Sequence, residues 1–159
     1  MEGMIEMSKQ SAVRGMERFL KTFEAVPDDK VNWSPSPSAK TPLQIAAHAA
    51  CTAGNFAVLF REGRFPAMDI GQFMAHMKET ESRVTTREQA VALFRANTDA
   101  AIAALEAITP GSLAATIDTP FGFSAPMSQF TMVPGMHAQA HAAQIDYLQT
   151  CWGDQEMHF

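Results

Sequence analysis

Cysteine and basic residues are both scarce in this chain, and each shortage closes off a function class. Two cysteines among 159 residues, Cys51 and Cys151, cannot make the disulfide framework of a small secreted domain. A reducing cytoplasm is the expected setting. Twelve Lys and Arg against 17 Asp and Glu leave a net charge of −5. A nucleic-acid partner is therefore not expected, because gripping a phosphate backbone needs clustered cations. We see no apolar run of the roughly 20 residues that span a bilayer, so no membrane partner is expected either. The opening MEGMIEMSKQ has no basic region followed by an apolar stretch and does not read as a signal peptide. The sequence offers no Gly-rich phosphate loop and no convincing carboxylate pair for general acid–base work.

What is present is a moderately apolar chain, 47% hydrophobic and only 18% charged, which suits an ordinary globular protein. Its length fits one domain over residues 1–159 with a sizeable core. Eleven methionines point to an adaptable core or loop surface.

Ile5, Val13, Met16, Phe19, Leu20 and Phe23 recur at helical spacing and predict a first helix over residues 5–25. Pro27 and the connector SPSPSAK end it. Thr41, Pro42 and Gln44 form a capping-box start for a second helix, which closes near Gly63. Residues 62–85 are too long to be structureless, and a short helix is expected around 69–77. A third long helix starts at TTRE or TREQ and runs to the stop signal TPG. Residues 113–127 carry Pro and Gly with weak alternation, as in a short hairpin or extended segment. The last helix spans about 128–152 and closes at Gly153, with Pro134 forcing a kink or a late start. Four long amphipathic segments predict an all-α four-helix bundle.

The chain has five histidines. Two of them, His137 and His141, lie four residues apart in GMHAQAHAAQIDYL, separated by about 40° around a helix and about 6 Å along it. Both can reach one ion, but a useful site needs a third ligand and an open position. Neighbours Met136, Ala140, Ile145 and Leu148 suggest an inward face; a surface accident of spacing is the alternative. HAQAH is not the zinc-protease HExxH, since Ala138 stands where that motif has its base. His48 sits within the apolar face of the second helix and, alone, reads equally well as a hydrogen-bonded core histidine. His76 reads as solvated, and His158 as part of a frayed terminus.

Three features together resemble the DinB/YfiT-like superfamily of metal-dependent enzymes. They are the connector WSPSPSAKTP leading into LQIAAHAA, the lone His48 early in the second helix, and the H-x-x-x-H-x-x-Q-I run of His137, His141, Gln144 and Ile145. The resemblance implies an up-down-down-up bundle. It implies a divalent metal, Ni or Zn, held by His48, His137 and His141, and commonly a homodimer. It also implies a small-molecule substrate, with a low-molecular-weight thiol among the candidates, because relatives include thiol-dependent transferases and a maleylpyruvate isomerase. This sequence departs from the simplest family pattern in its long, Met-rich 62–85 segment and in Pro134.

The expected function is accordingly a metal-dependent transferase or hydrolase. The alternative is a non-catalytic metal- or ligand-binding bundle. Three neutral imidazoles leave an ion's charge in place to activate water or a thiol, or to polarise a carbonyl. No catalytic residue is assigned. Gln144 is placed to orient His141, or else to bond between helices. Cys51, one turn past His48, is a possible ligand or a buried small residue, and Tyr147 a pocket donor or a packing residue. Trp33 and Trp152 read as packing anchors. The apolar residues Phe65, Met68, Ile70, Phe73, Met74 and Met77 are expected to form a lid over the pocket or a dimer contact.

Overall fold

The computed structural model of the protein describes residues 2–158. Helix α1 (Glu2–Glu24) buries Ala12, Met16, Phe19, Leu20 and Phe23 along one stripe. A 3₁₀ turn over Asp28–Lys30 follows Pro27. Helix α2 (Pro42–Glu62) starts with the expected reciprocal cap. The Thr41 hydroxyl accepts from the Gln44 backbone N–H, and the Gln44 side chain accepts from the Thr41 N–H. Gly63, at φ 67°, closes the helix in the left-handed conformation that spares glycine a Cβ clash.

Helix α3 (Ile70–Ser82) uses the same device through Asp69 and Gln72, and α4 (Arg87–Glu106) through Thr86 and Gln89. Helix α3 runs a full turn beyond the expected 69–77. A short α5 (Pro110–Ala114) precedes a two-stranded antiparallel hairpin, β1 (Thr116–Asp118) with β2 (Ser124–Pro126). A single turn, α6 (Met127–Phe130), then leads to α7 (Val133–Cys151). Pro134 therefore sits in the first turn of α7, where its missing N–H has no partner to lose. The result is a late start rather than a kink.

Helix α1 packs on α7 and α4, and α2 packs on the same two helices from the far side, so α1 and α2 lie across the diagonal. Side-chain pairings fix the directions. Along α1 and α7, Gly15 meets Gly135 and Arg18 pairs with Asp146 at 3.1 Å, so these helices run parallel. Lys9 pairs with Glu106 at 2.6 Å while Arg87 donates to the Phe23 and Val26 carbonyls, so α4 is antiparallel to α1. Asn97 donates to the Ala50 carbonyl while Leu105 shares a core cluster with Phe60, so α4 is parallel to α2. The order is up-down-down-up, as the family resemblance implied. Two parallel neighbours, α2 and α4, need a connection that travels the length of the bundle. That connection carries α3, which lies against α2.

The α1–α7 contact is unusually close. A Cβ placed at Gly15 would come within 2.6 Å of the Gly135 carbonyl oxygen, and one placed at Gly135 would overlap Ser11. This backbone-to-backbone seat fixes the start of α7 two residues before His137.

One sequence expectation needs correction. By length and composition α2 is apolar enough to cross a membrane, with a mean hydropathy of 1.3 over its best window. In the fold, 61% of that window is buried. Its alanines at 46, 47, 49, 50, 53 and 57 pack inside the bundle. A central bundle helix meets the length and hydropathy criteria for the same reason a spanning helix does: it has apolar neighbours on most sides.

Candidate metal centre

His48 comes from the first third of α2, and His137 and His141 from the first half of α7. Because α2 and α7 pack side by side, the three imidazoles converge. Ring centroids lie 5.1 Å apart for His48 and His137, 4.8 Å for His48 and His141, and 4.2 Å for His137 and His141. One ring nitrogen from each lies within 4.8 Å of the others. Three nitrogens on a tetrahedral ion at zinc–imidazole distances would sit about 3.4 Å apart. The set therefore closes on an ion with ångström-scale side-chain adjustment.

Hydrogen bonding decides which nitrogens face inward. The His48 Nδ1 lies 2.6 Å from Glu81 Oε1, an acceptor, so His48 donates there, and in the neutral ring the lone pair then sits on Nε2. The His141 Nδ1 lies 2.7 Å from Gln144 Oε1, so His141 donates as well. The His141 Nε2 then faces the His137 Nε2 at 3.0 Å. Two partners outside the cluster thus turn lone pairs toward its centre, as outer hydrogen bonds do around metal-binding histidines.

The electrostatics match. Burial, then the neighbouring His141, His48 and Lys40, pushes the His137 pKa down to about 3. Burial also lowers His141, against the opposing hydrogen bond it donates to Gln144. Both rings are neutral near pH 7, the form that binds cations. Glu81 is held in turn by Lys40, whose Nζ lies 3.2 Å from Oε2.

Glu81 escaped the sequence reading because α3 was expected to stop near residue 77. The available signal was continued helical spacing through KETES, which places Glu81 one turn beyond Met77. Met77 is buried.

His48 and His137 line a cavity of about 1310 Å³ between α2, α3, the hairpin and the α6–α7 corner. Residues 65–77 contribute Phe65, Phe73, Met74 and Met77 to its wall, so this segment covers the pocket. The remaining candidates lie elsewhere. Cys51 lines a separate groove between α2, α3 and α4, and its thiol pKa is raised by burial and by Glu81. Thr52, four residues past His48, faces the cavity instead. Tyr147 is 68% exposed on the outer side of α7 and does not reach the cavity. His76 is exposed. His158 is docked rather than frayed: its ring bonds Asp154 at 2.9 Å, and its carbonyl accepts from Thr22. Trp33 and Trp152 pack edge to face at 5.4 Å.

Fold and site together define a helical bundle with three converging histidines, two of which line a cavity. A family model of the DinB superfamily matches residues 12–145, and the chain belongs to that superfamily. No curated protein matches it in sequence. Among solved structures it is similar to a DinB-like protein from Bacillus subtilis, at 17% identity with TM-score 0.68, covering 96% of both chains. It is also similar to YfiT from Bacillus subtilis, described as a probable metal-dependent hydrolase with an unusual four-helix bundle topology. That match has 15% identity and TM-score 0.75, over 94% of this chain and 87% of that one. A third similar structure is a mycothiol-dependent maleylpyruvate isomerase, at 13% identity and TM-score 0.70. There the match spans 89% of this chain but 60% of the other.

Proposed function

We propose that the protein is a cytoplasmic metal-dependent enzyme acting on a small molecule, either a thiol-dependent transferase or a hydrolase. Its divalent ion, Ni or Zn, is held by His48, His137 and His141. The observation that carries this reading is the convergence of three ring nitrogens within 4.8 Å beside a cavity that His48 and His137 line. Three ligands from the protein leave coordination positions for substrate, which favours catalysis over a closed structural site. When bound, such an ion supplies Lewis acidity, which eases deprotonation of water or a thiol and polarises a carbonyl.

The protein's own groups prepare the site. Glu81 and Gln144 fix two imidazole tautomers. Lys40 holds Glu81 in place. The mycothiol-dependent relative supports screening low-molecular-weight thiols first as substrate. Two free cysteines suit a reducing compartment.

Element analysis of protein purified without an affinity tag tests the reading. His48→Ala, His137→Ala and His141→Ala should each lose most of the bound metal, while His76→Ala and His158→Ala keep it. Wild-type protein free of transition metal overturns the proposal.

We also propose a homodimer. Met136 and Tyr147, exposed on α7, and Met7 on the parallel α1 offer apolar area to cover. Sedimentation equilibrium should give twice the 17.3 kDa chain mass, and a clean monomer mass refutes it.

A further inference from the structure

Six of the eleven phenylalanines line the histidine cavity: Phe56, Phe65, Phe73, Phe121, Phe123 and Phe130. They are not spread evenly. The charged and amide groups nearest the histidines, Lys40, Gln44 and Glu81, gather at the end of the cavity formed by the start of α2 and the end of α3. Phe56 lies two turns further along α2, about 12 Å from His48. Around it the rings interlock edge to face. Phe65 meets Phe73 at 6.4 Å and Phe130 at 5.9 Å, and Phe73 meets Phe121 at 5.6 Å.

This apolar end is not closed on itself. Phe121 and Phe123 at the hairpin tip are each 54% exposed, and Met74 is 55% exposed. Protein interiors rarely leave apolar walls unfilled, and apolar faces exposed around a concave surface mark a binding site. Between the two ends, the Thr52 hydroxyl is buried without a hydrogen-bond partner in the described residues. It lies about 6 Å along α2 from His48.

We propose that the substrate is an amphipathic small molecule. Its polar, electrophilic head, a carbonyl or ester, meets the histidines. Its alkyl or aryl tail, on the order of eight carbons long if it is to reach from His48 past Phe56, lies among the phenylalanines. The placement of the head rests on the metal reading above; the placement of the tail rests on the cavity wall alone.

The test is a chain-length series. Straight-chain alkyl hydroxamates from two to ten carbons are titrated into Zn²⁺-loaded protein, with the matching primary alkanols measured in parallel on wild type and His48→Ala. Affinity of the hydroxamates should rise roughly three- to fourfold per methylene, up to about eight carbons, and then level off. The alkanols should bind more weakly with the same slope, in both proteins. The double variant Phe121→Ser/Phe123→Ser, changed only at half-exposed positions, should flatten the slope in both series. Hydroxamates that bind without any dependence on chain length overturn the tail assignment and leave the metal reading intact. Alkanols that follow the slope while hydroxamates bind no better than they do overturn the metal reading and leave the tail assignment standing. A slope untouched by the double variant also refutes the inference, because the tail would then lie somewhere other than against the hairpin.

Discussion

Removing the Glu81 carboxylate should weaken metal binding without unfolding the protein. Glu81 is 82% buried by side-chain area, given its 18% exposure, and it bridges His48 and Lys40 at 2.6 and 3.2 Å. In Glu81→Ala, His48 loses the acceptor that keeps its proton on Nδ1. The ring then populates the tautomer with Nε2 protonated, which cannot bind a cation through that atom. It also loses the charge-assisted hydrogen bond that holds its plane. Such bonds contribute about 1.5–3 kcal/mol net, equivalent to roughly ten- to hundredfold in affinity. Lys40, freed from its partner, adds a positive charge near the cluster and acts in the same direction. Its exposure of 47% keeps that contribution small.

Glu81→Gln tests the separation of effects. An amide oxygen can still accept from Nδ1, so the tautomer is retained and only the charge is lost. The expected order of metal affinity is wild type, then Gln, then Ala. The assay is competitive titration against a chelator of known affinity, with the unfolding of each metal-free variant followed in parallel. A Glu81→Ala protein whose metal affinity stays within about twofold of wild type, against the tenfold or more expected, would show that Glu81 does not orient His48.

Gly135→Ala places a methyl group onto Ser11 of α1, where neither backbone can yield. Overpacking of this kind costs about 1–3 kcal/mol, measurable by urea unfolding; an unchanged midpoint would mean the helices are not seated as described. The pH dependence of the metal-free protein follows from His137, whose folded pKa of about 3 lies below the ordinary 6.5. The unfolded chain takes up this proton near pH 6.5 and the folded chain resists it. The stability is fully present above that pH and lost progressively as pH falls toward 3. His137→Gln should remove this part of the slope, and equal slopes in both proteins between pH 6.5 and 4.5 would contradict the assignment.

Much of the fold was legible because it is written locally. Thr41 with Gln44 and Thr86 with Gln89 marked two helix starts to within a residue, since a capping box is a short-range hydrogen-bond pattern. The convergence of His137 and His141 was likewise a matter of helical arithmetic. His48 was different: nothing near it says which helix it faces, and only the family resemblance joined it to the other two. For Cys51 and Tyr147 the sequence left two readings open, and helical angle places both away from the cavity. From His48, Cys51 turns about 60° one way and Thr52 about 40° the other, and the cavity lies on the Thr52 side. Tyr147 lies about 240° around α7 from His141, on the outer face. The turns α5 and α6 and the docking of His158 depend on tertiary contacts that short windows do not contain.

The parallel course of α2 and α4 has a consequence for how such a protein diversifies. The chain between them must climb the bundle whatever its sequence, so a strap over the pocket is a by-product of the topology. It is tied at both ends, by the left-handed Gly63 and by the Thr86 cap. Residues 63–86 can therefore drift, lengthen or exchange one apolar side chain for another without disturbing the four long helices. Glu81 is the point where that freedom ends, because it reaches back to His48. Selection on the choice of molecule can act on the strap while selection on the chemistry acts on the bundle, and the two meet at the Glu81 carboxylate.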